Sequence, residues 1–105
     1  MEFSNQMDLV KLHAAADEAS KLLKVLSNPD RLLLLCQLTQ AERSVSELEA
    51  ITSIQQPTLS QQLTVLRSEE VVNTRREGKQ IFYSIASNEA LAVMQVLYQL
   101  YCQKQ

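Results

Sequence analysis

Apolar positions return with helical period over most of this chain, and the period changes only once. Between residues 8 and 26, Leu9, Leu12, Ala16, Ala19, Leu22 or Leu23, and Leu26 recur at helical steps. Lys11, Asp17, Glu18, Lys21 and Lys24 fall on the outer side. The pattern predicts a long amphipathic helix whose apolar stripe exceeds what one small core can cover, a candidate dimer surface. Asn28-Pro29 then predicts a stop and a restart, with Asn as N-cap and Pro at the first helical position. Residues 29–39 contain Leu32-Leu33-Leu34-Leu35-Cys36, apolar on every side, between Arg31 and Gln37. A helix without a polar face is expected to be the central core helix, buried all round. Gln40-Ala-Glu-Arg43 reads as a linker.

The next stretch carries two short helices. Ser44 followed three residues later by Glu47 is the spacing of a capping box, and Thr52-Ser53 end the helix it opens. A second helix is expected over 57–68, with Pro57 at its first position. Leu59, Leu63 and Leu66 share one face of it at i, i+4, i+7. Pro57, Gln61, Thr64 and Ser68 lie opposite, and Thr58, Ser60, Gln62 and Arg67 flank them. A half-apolar helix with a free face of Gln, Ser and Thr suits a groove lined with donors and acceptors. The pair reads as a helix-turn-helix with 57–68 as recognition helix.

After it the period falls to that of strands. Val71–Arg76 and Lys79–Ile85 are rich in β-branched and aromatic residues, with Glu77-Gly78 between them as the hairpin turn. A basic hairpin directly after a recognition helix is a wing. A last helix is expected from Glu89 to Cys102, capped by Ser87 or Asn88, with Leu91, Met94, Leu97 or Tyr98, and Tyr101 on one face. The predicted fold class is mainly α (α+β), a winged helix-turn-helix in the order helix-helix-helix-helix-strand-strand-helix. All 105 residues are expected to form one domain.

Net charge is −2, and the pI of about 5.3 counts against nucleic acid on the crudest criterion. The distribution tempers this. Residues 67–85 carry four basic and three acidic side chains, leaving six basic and nine acidic elsewhere. No apolar run reaches the roughly 20 residues that span a bilayer. Met1–Asp8 has neither a basic nor an apolar leader region, so a cytoplasmic location is expected.

Taken with Leu26-Ser-Asn-Pro-Asp-Arg-Leu-Leu-Leu-Leu-Cys36, Gln55-Gln-Pro-Thr-Leu-Ser-Gln-Gln-Leu63 and Arg75-Arg-Glu-Gly-Lys-Gln-Ile-Phe-Tyr83, this order resembles the ArsR family of bacterial winged-helix repressors. The resemblance covers roughly residues 17–102 and leans towards the branch of biofilm growth-associated repressors and haemolysin activators. It implies a homodimer through the first and last helices and binding to a palindromic operator. It also implies a Cys36–Cys102 dithiol switch that releases DNA on reaction with persulfides or oxidants. One position departs from the family's Leu-Arg-x-x-Gly-Leu-Val pattern. Glu70 stands where Gly is usual, and a Glu held at positive φ costs roughly 1 kcal/mol.

The side chains set out the chemistry. Thr58, Ser60, Gln61, Gln62 and Thr64 are expected to face the major groove, where Gln bonds adenine edges and Thr methyls suit thymine. Arg67, Arg75, Arg76 and Lys79 would take phosphates or the minor groove. Readers of this kind favour an A-T-rich inverted repeat in double-stranded DNA. No cofactor is expected. His13, with only Asp17 a turn away, offers too few ligands for a transition metal. Cys36 and Cys102 read either as two buried small hydrophobes or as a reactive pair. An enzyme such as a thiol oxidoreductase would need Cys-x-x-Cys or a Cys with a nearby His, and the chain has neither. Two alternatives stay open: arsenite or metal response through the same thiols, and a winged-helix interaction module without DNA binding.

Overall fold

In the computed structural model, which describes residues 8–103, Asp8 opens the first helix by accepting a 2.9 Å hydrogen bond from the Val10 amide. Helix α1 (Leu9–Leu26) buries only Val25 and Leu26. Leu9, Val10, Leu12 and Leu23 stand exposed along the rest of its length. Asn28 caps α2 (Pro29–Leu38) through a 3.0 Å bond from the Arg31 amide, with Pro29 in the first turn as expected. Burial all round does not hold for α2. Leu34, Leu35 and Leu38 are buried, but Leu33 is 41% exposed and Leu32 and Cys36 are half-buried. Five consecutive residues of a helix point in every direction, and the chain's other elements do not cover the direction of Leu33.

The expected linker ends in structure. Arg43–Ser44 form β1, which pairs antiparallel with β3 through Arg43↔Tyr83 and Ser44↔Phe82. Two residues are too few to show an alternating pattern, and Ser44 also serves as N-cap of α3 (Val45–Thr52). The capping box is complete: Ser44 N–H donates to the Glu47 carboxylate at 2.8 Å, and Glu47 N–H to Ser44 Oγ at 3.2 Å. Ser53 ends α3 in the left-handed region at φ 63°.

Helix α4 (Thr58–Ser68) begins one residue later than expected, with Pro57 as the cap residue. Leu59, Leu63 and Leu66 are buried as the period required. Its exit settles the question raised by Glu70. The Glu70 amide donates to Arg67 O and the Val71 amide to Leu66 O, both at 3.0 Å, with Glu70 at φ 61°. That is a Schellman cap, with buried Val71 and Leu66 as the apolar pair that accompanies it. A left-handed cap is thus formed with a residue that fits it poorly.

Strands β2 (Val72–Glu77) and β3 (Gln80–Ile85) form the wing, in register from Val72↔Ile85 to Glu77↔Gln80. The turn centres on Gly78-Lys79, one residue beyond the expected Glu77-Gly78, because Glu77 still pairs. Gly78 at φ 64° is the first central residue, the position where a two-residue hairpin of the II′ kind needs glycine. The sheet order is β1-β3-β2. Ser87 caps α5 (Asn88–Tyr101) by accepting from the Ala90 amide at 3.0 Å. Ala90 and Met94 are buried, while Val96, Tyr98, Leu100 and Tyr101 are exposed. Among the described residues no helix is long and apolar enough to cross a membrane. The expectation about Met1–Asp8 lies, apart from Asp8, outside the described residues.

Candidate nucleic-acid interface and thiol site

The outer face of α4 is polar and partly pre-bonded. Gln61 is exposed and makes no side-chain hydrogen bond among the described residues. Thr64 Oγ1 donates back to Ser60 O at 2.8 Å, which occupies the hydroxyl proton within the helix. Ser60 donates to Gln56 Oε1 from both its amide (3.1 Å) and its hydroxyl (2.7 Å). Gln56 therefore supplies the side-chain cap that Pro57 lacks. Thr58 is half-buried. Gln62 is also half-buried, and its Oε1 accepts from Arg31 Nη1 at 2.8 Å. Arg67 is exposed in the last turn.

The basic residues of the wing divide. Lys79 stands exposed at the turn, and exposed Arg76 donates from Nε to Gly78 O at 3.2 Å. Arg75 is held. Its Nε and Nη2 meet the two Glu42 carboxylate oxygens at 2.7 and 2.8 Å, and its guanidinium lies 4.6 Å from the Phe82 ring centroid. A more distant contact runs to Glu77 at 3.4 Å. The Arg75 hydrogen bond keeps the Glu42 carboxyl below its ordinary range, against the opposing effect of desolvation. Arg75 thus sits midway along the wing with its fork already filled, whereas Arg76 and Lys79 are exposed.

Sequence reasoning missed Arg31, Gln56 and Glu42. Arg31 and Glu42 act across 31 and 33 positions, a separation over which no periodicity carries a signal. Gln56 stands four residues before Ser60, and that spacing beside a proline was a readable hint.

Both cysteines are free thiols. Cys102 is exposed at the C-cap of α5, and Cys36 is half-buried on α2, so neither is the fully buried small hydrophobe that was one reading of the sequence. Cys36 lines a cleft of about 580 Å³ between the ends of α2 and α5, with Thr39, Met94, Tyr98, Gln99 and Gln103 among its walls. Gln103 follows Cys102 directly, and no charged side chain lines the cleft. His13 and Asp17 are both exposed on α1. Among the described residues no three His, Cys, Asp or Glu gather in a way that could hold a metal ion.

The model of the "bacterial regulatory protein, arsR family" matches residues 28–74, from the N-cap of α2 into β2. The chain is 50% identical over 97 residues to the biofilm growth-associated repressor of Agrobacterium fabrum, covering 92% of this chain and 83% of that protein. The chain belongs to the arsR family. Its fold agrees: reduced HlyU of Vibrio cholerae superposes with a TM-score of 0.85 at 40% identity, over 89% of this chain and 98% of that one. A homodimeric winged helix-turn-helix DNA-binding domain from Mycobacterium bovis superposes at 0.74 with 30% identity, over 93% and 89%. This arsR-family chain is a transcription regulator, not an enzyme.

Proposed function

We propose that residues 1–105 act in the cytoplasm as one winged-helix unit, pairing into a homodimer that represses transcription by binding an A-T-rich inverted repeat. The observation that carries the reading is the joint exposure of a Gln/Ser/Thr face on α4 and of outward donors on Arg67, Arg76 and Lys79. Gln61, Thr64, Ser60 and Thr58 contact base edges, and the basic side chains hold phosphates. Arg75 contributes mainly by fixing the wing through Glu42. The apolar side chains left bare on α1 and α5 support pairing of two copies, since surplus of this kind on terminal helices is costly in a monomer. Two recognition helices on such a dimer would sit about 34–36 Å apart, one turn of DNA.

Cys36 and Cys102 form the switch in this reading, favoured by the free thiols and by the uncharged cleft beside Cys36. Each thiol takes a sulfane sulfur from a persulfide donor and releases the donor's thiol. The two protein persulfides then condense to a trisulfide, and one sulfur leaves as hydrogen sulfide. Bridging ties α2, which supports α4, to the end of α5, and so moves the two readers relative to each other.

The DNA-binding part is tested by a gel shift with the region upstream of the protein's own gene, alongside sedimentation to measure assembly. A discrete salt-sensitive complex with dimeric protein is expected. A monomer that binds no DNA refutes it and leaves a winged-helix interaction module.

A further inference from the structure

Arg31 ties the end of α1 to the recognition helix. Its Nε donates to Val25 O at 2.6 Å, its Nη2 to Lys24 O at 3.3 Å and its Nη1 to Gln62 Oε1 at 2.8 Å. All three acceptors are neutral, so these bonds fix the guanidinium without cancelling its charge. Arg31 borders a cleft of about 300 Å³ between α1 and α4, whose other walls are Lys21, Lys24, Val25, Val65 and Glu69. Lys21 and Lys24 are exposed. Among the described residues none of the three cations forms an ion pair, and Glu69 is the one carboxylate on the walls.

The cleft opens beside the strip of α4 that faces outward. Leu59, Leu63 and Leu66 are buried, and Gln61 and Thr64 are exposed on the opposite side. Val65 stands four residues after Gln61, which makes the two neighbours on the helix surface. By helical period Gln62, Val65 and Glu69 form the flank towards α1, and Ser60 and Arg67 form the other. A helix about 10–12 Å across in a groove about 12 Å wide has a phosphate strand along each flank. Arg67 supplies a cation on one side, and α4 offers none on the side of Val65.

We infer that this cleft is a further phosphate anchor, in which Lys21 and Lys24 of α1 hold a backbone phosphate of the DNA strand running beside Gln62 and Val65. This rests on the DNA-binding reading above. Arg31 is the positioning residue, since its three bonds set the end of α1 against α4. A lysine is a point charge on a flexible stem, which suits a phosphate oxygen and carries no base preference. The anchor therefore adds affinity and register but no sequence information. Glu69 opposes it, and three cations outweigh that one carboxylate. The long first helix then touches DNA as well as serving the proposed dimer.

Methylphosphonate interference tests this: duplexes of the region upstream of the protein's own gene carry one neutral methylphosphonate at a time and are titrated by anisotropy. Full-length wild type is compared with the double variant Lys21→Gln, Lys24→Gln, and circular dichroism and sedimentation check fold and assembly. In wild type, a symmetric pair of phosphates on the Val65 side of the reading helices should be sensitive, each costing about ten-fold in affinity. The double variant should bind the unmodified duplex at least about ten-fold more weakly and lose sensitivity at that pair alone. Its slope of log K against log salt should be smaller by about 1 per half-site. Lys24→Arg keeps the charge and should keep the sensitivity. If the double variant fails to dimerise, Lys24→Gln alone decides by the same pattern. A merely structural role for the lysines, or a free anion as the occupant of the cleft, leaves both proteins sensitive at the same phosphates and overturns the inference. A wild-type chain that forms no salt-sensitive complex refutes the DNA-binding reading itself.

Discussion

Replacing Glu70 by glycine should stabilise the protein. Glu70 holds φ 61° because α4 ends in a Schellman cap, with its amide and that of Val71 bonded back to Arg67 O and Leu66 O. A side chain in the left-handed region costs about 1–2 kcal/mol from the clash of Cβ with the following carbonyl. Glycine removes the clash but loses about 0.4–1 kcal/mol through the greater freedom of its unfolded chain. The carboxylate also lies beside the negative end of α4, where its removal gains about 0.3 kcal/mol. The net is a gain of about 1 kcal/mol, or about 4–8 °C in melting temperature for a chain near this length. Urea and thermal unfolding at one fixed protein concentration measure it, with Glu70→Ala as comparator. Alanine removes the charge and keeps the strain, so its gain should stay within about 0.5 kcal/mol. A Glu70→Gly protein no more stable than wild type, or an alanine variant equal to it, refutes the assignment of the cost to the backbone.

Leu35 is fully buried, and Leu35→Ala should lower stability by about 2–5 kcal/mol in the same urea assay. Removing Arg76 should weaken binding to all DNA sequences and reduce the slope of log K against log salt by about 1, and an unchanged slope would deny it a phosphate. Because Glu42 titrates below its ordinary range, the Arg75 clamp is complete at neutral pH and is lost as pH falls through that lowered value. A Glu42 side-chain NMR titration should give a midpoint below that of the unfolded chain, and Arg75→Ala should return it there.

Much of the fold was legible because its signals are local. Asn28-Pro29, the Ser44–Glu47 box and the Leu59, Leu63, Leu66 period each act within a turn or two of helix, and each stands where expected. Strand β1 was not legible, since Ser44 carries both a sheet partner and a helix cap in a two-residue element. Nor was the bare side of α2, because burial of Leu33 depends on what packs against it and not on its own neighbours. Glu70 shows the reverse case: the residue argues against a left-handed cap, yet Leu66 and Val71 on either side impose it. The interface was half legible. Residue types marked α4 and the wing, but which donors remain available depends on Arg31–Gln62 and Glu42–Arg75, pairs joined only by the fold.

The switch is the central claim, and one paired measurement addresses it directly. Reduced protein is treated with a persulfide donor, weighed intact, mapped by peptide mass, and titrated against its operator by fluorescence anisotropy. A Cys36–Cys102 bridge is predicted, with a mass gain of whole sulfur atoms less two hydrogens, and operator affinity should fall at least about ten-fold, a coupling of about 1.4 kcal/mol. Cys36→Ser and Cys102→Ser should each bind DNA in the untreated state and lose the response. Unbridged cysteines after treatment, with operator affinity unchanged, would contradict it.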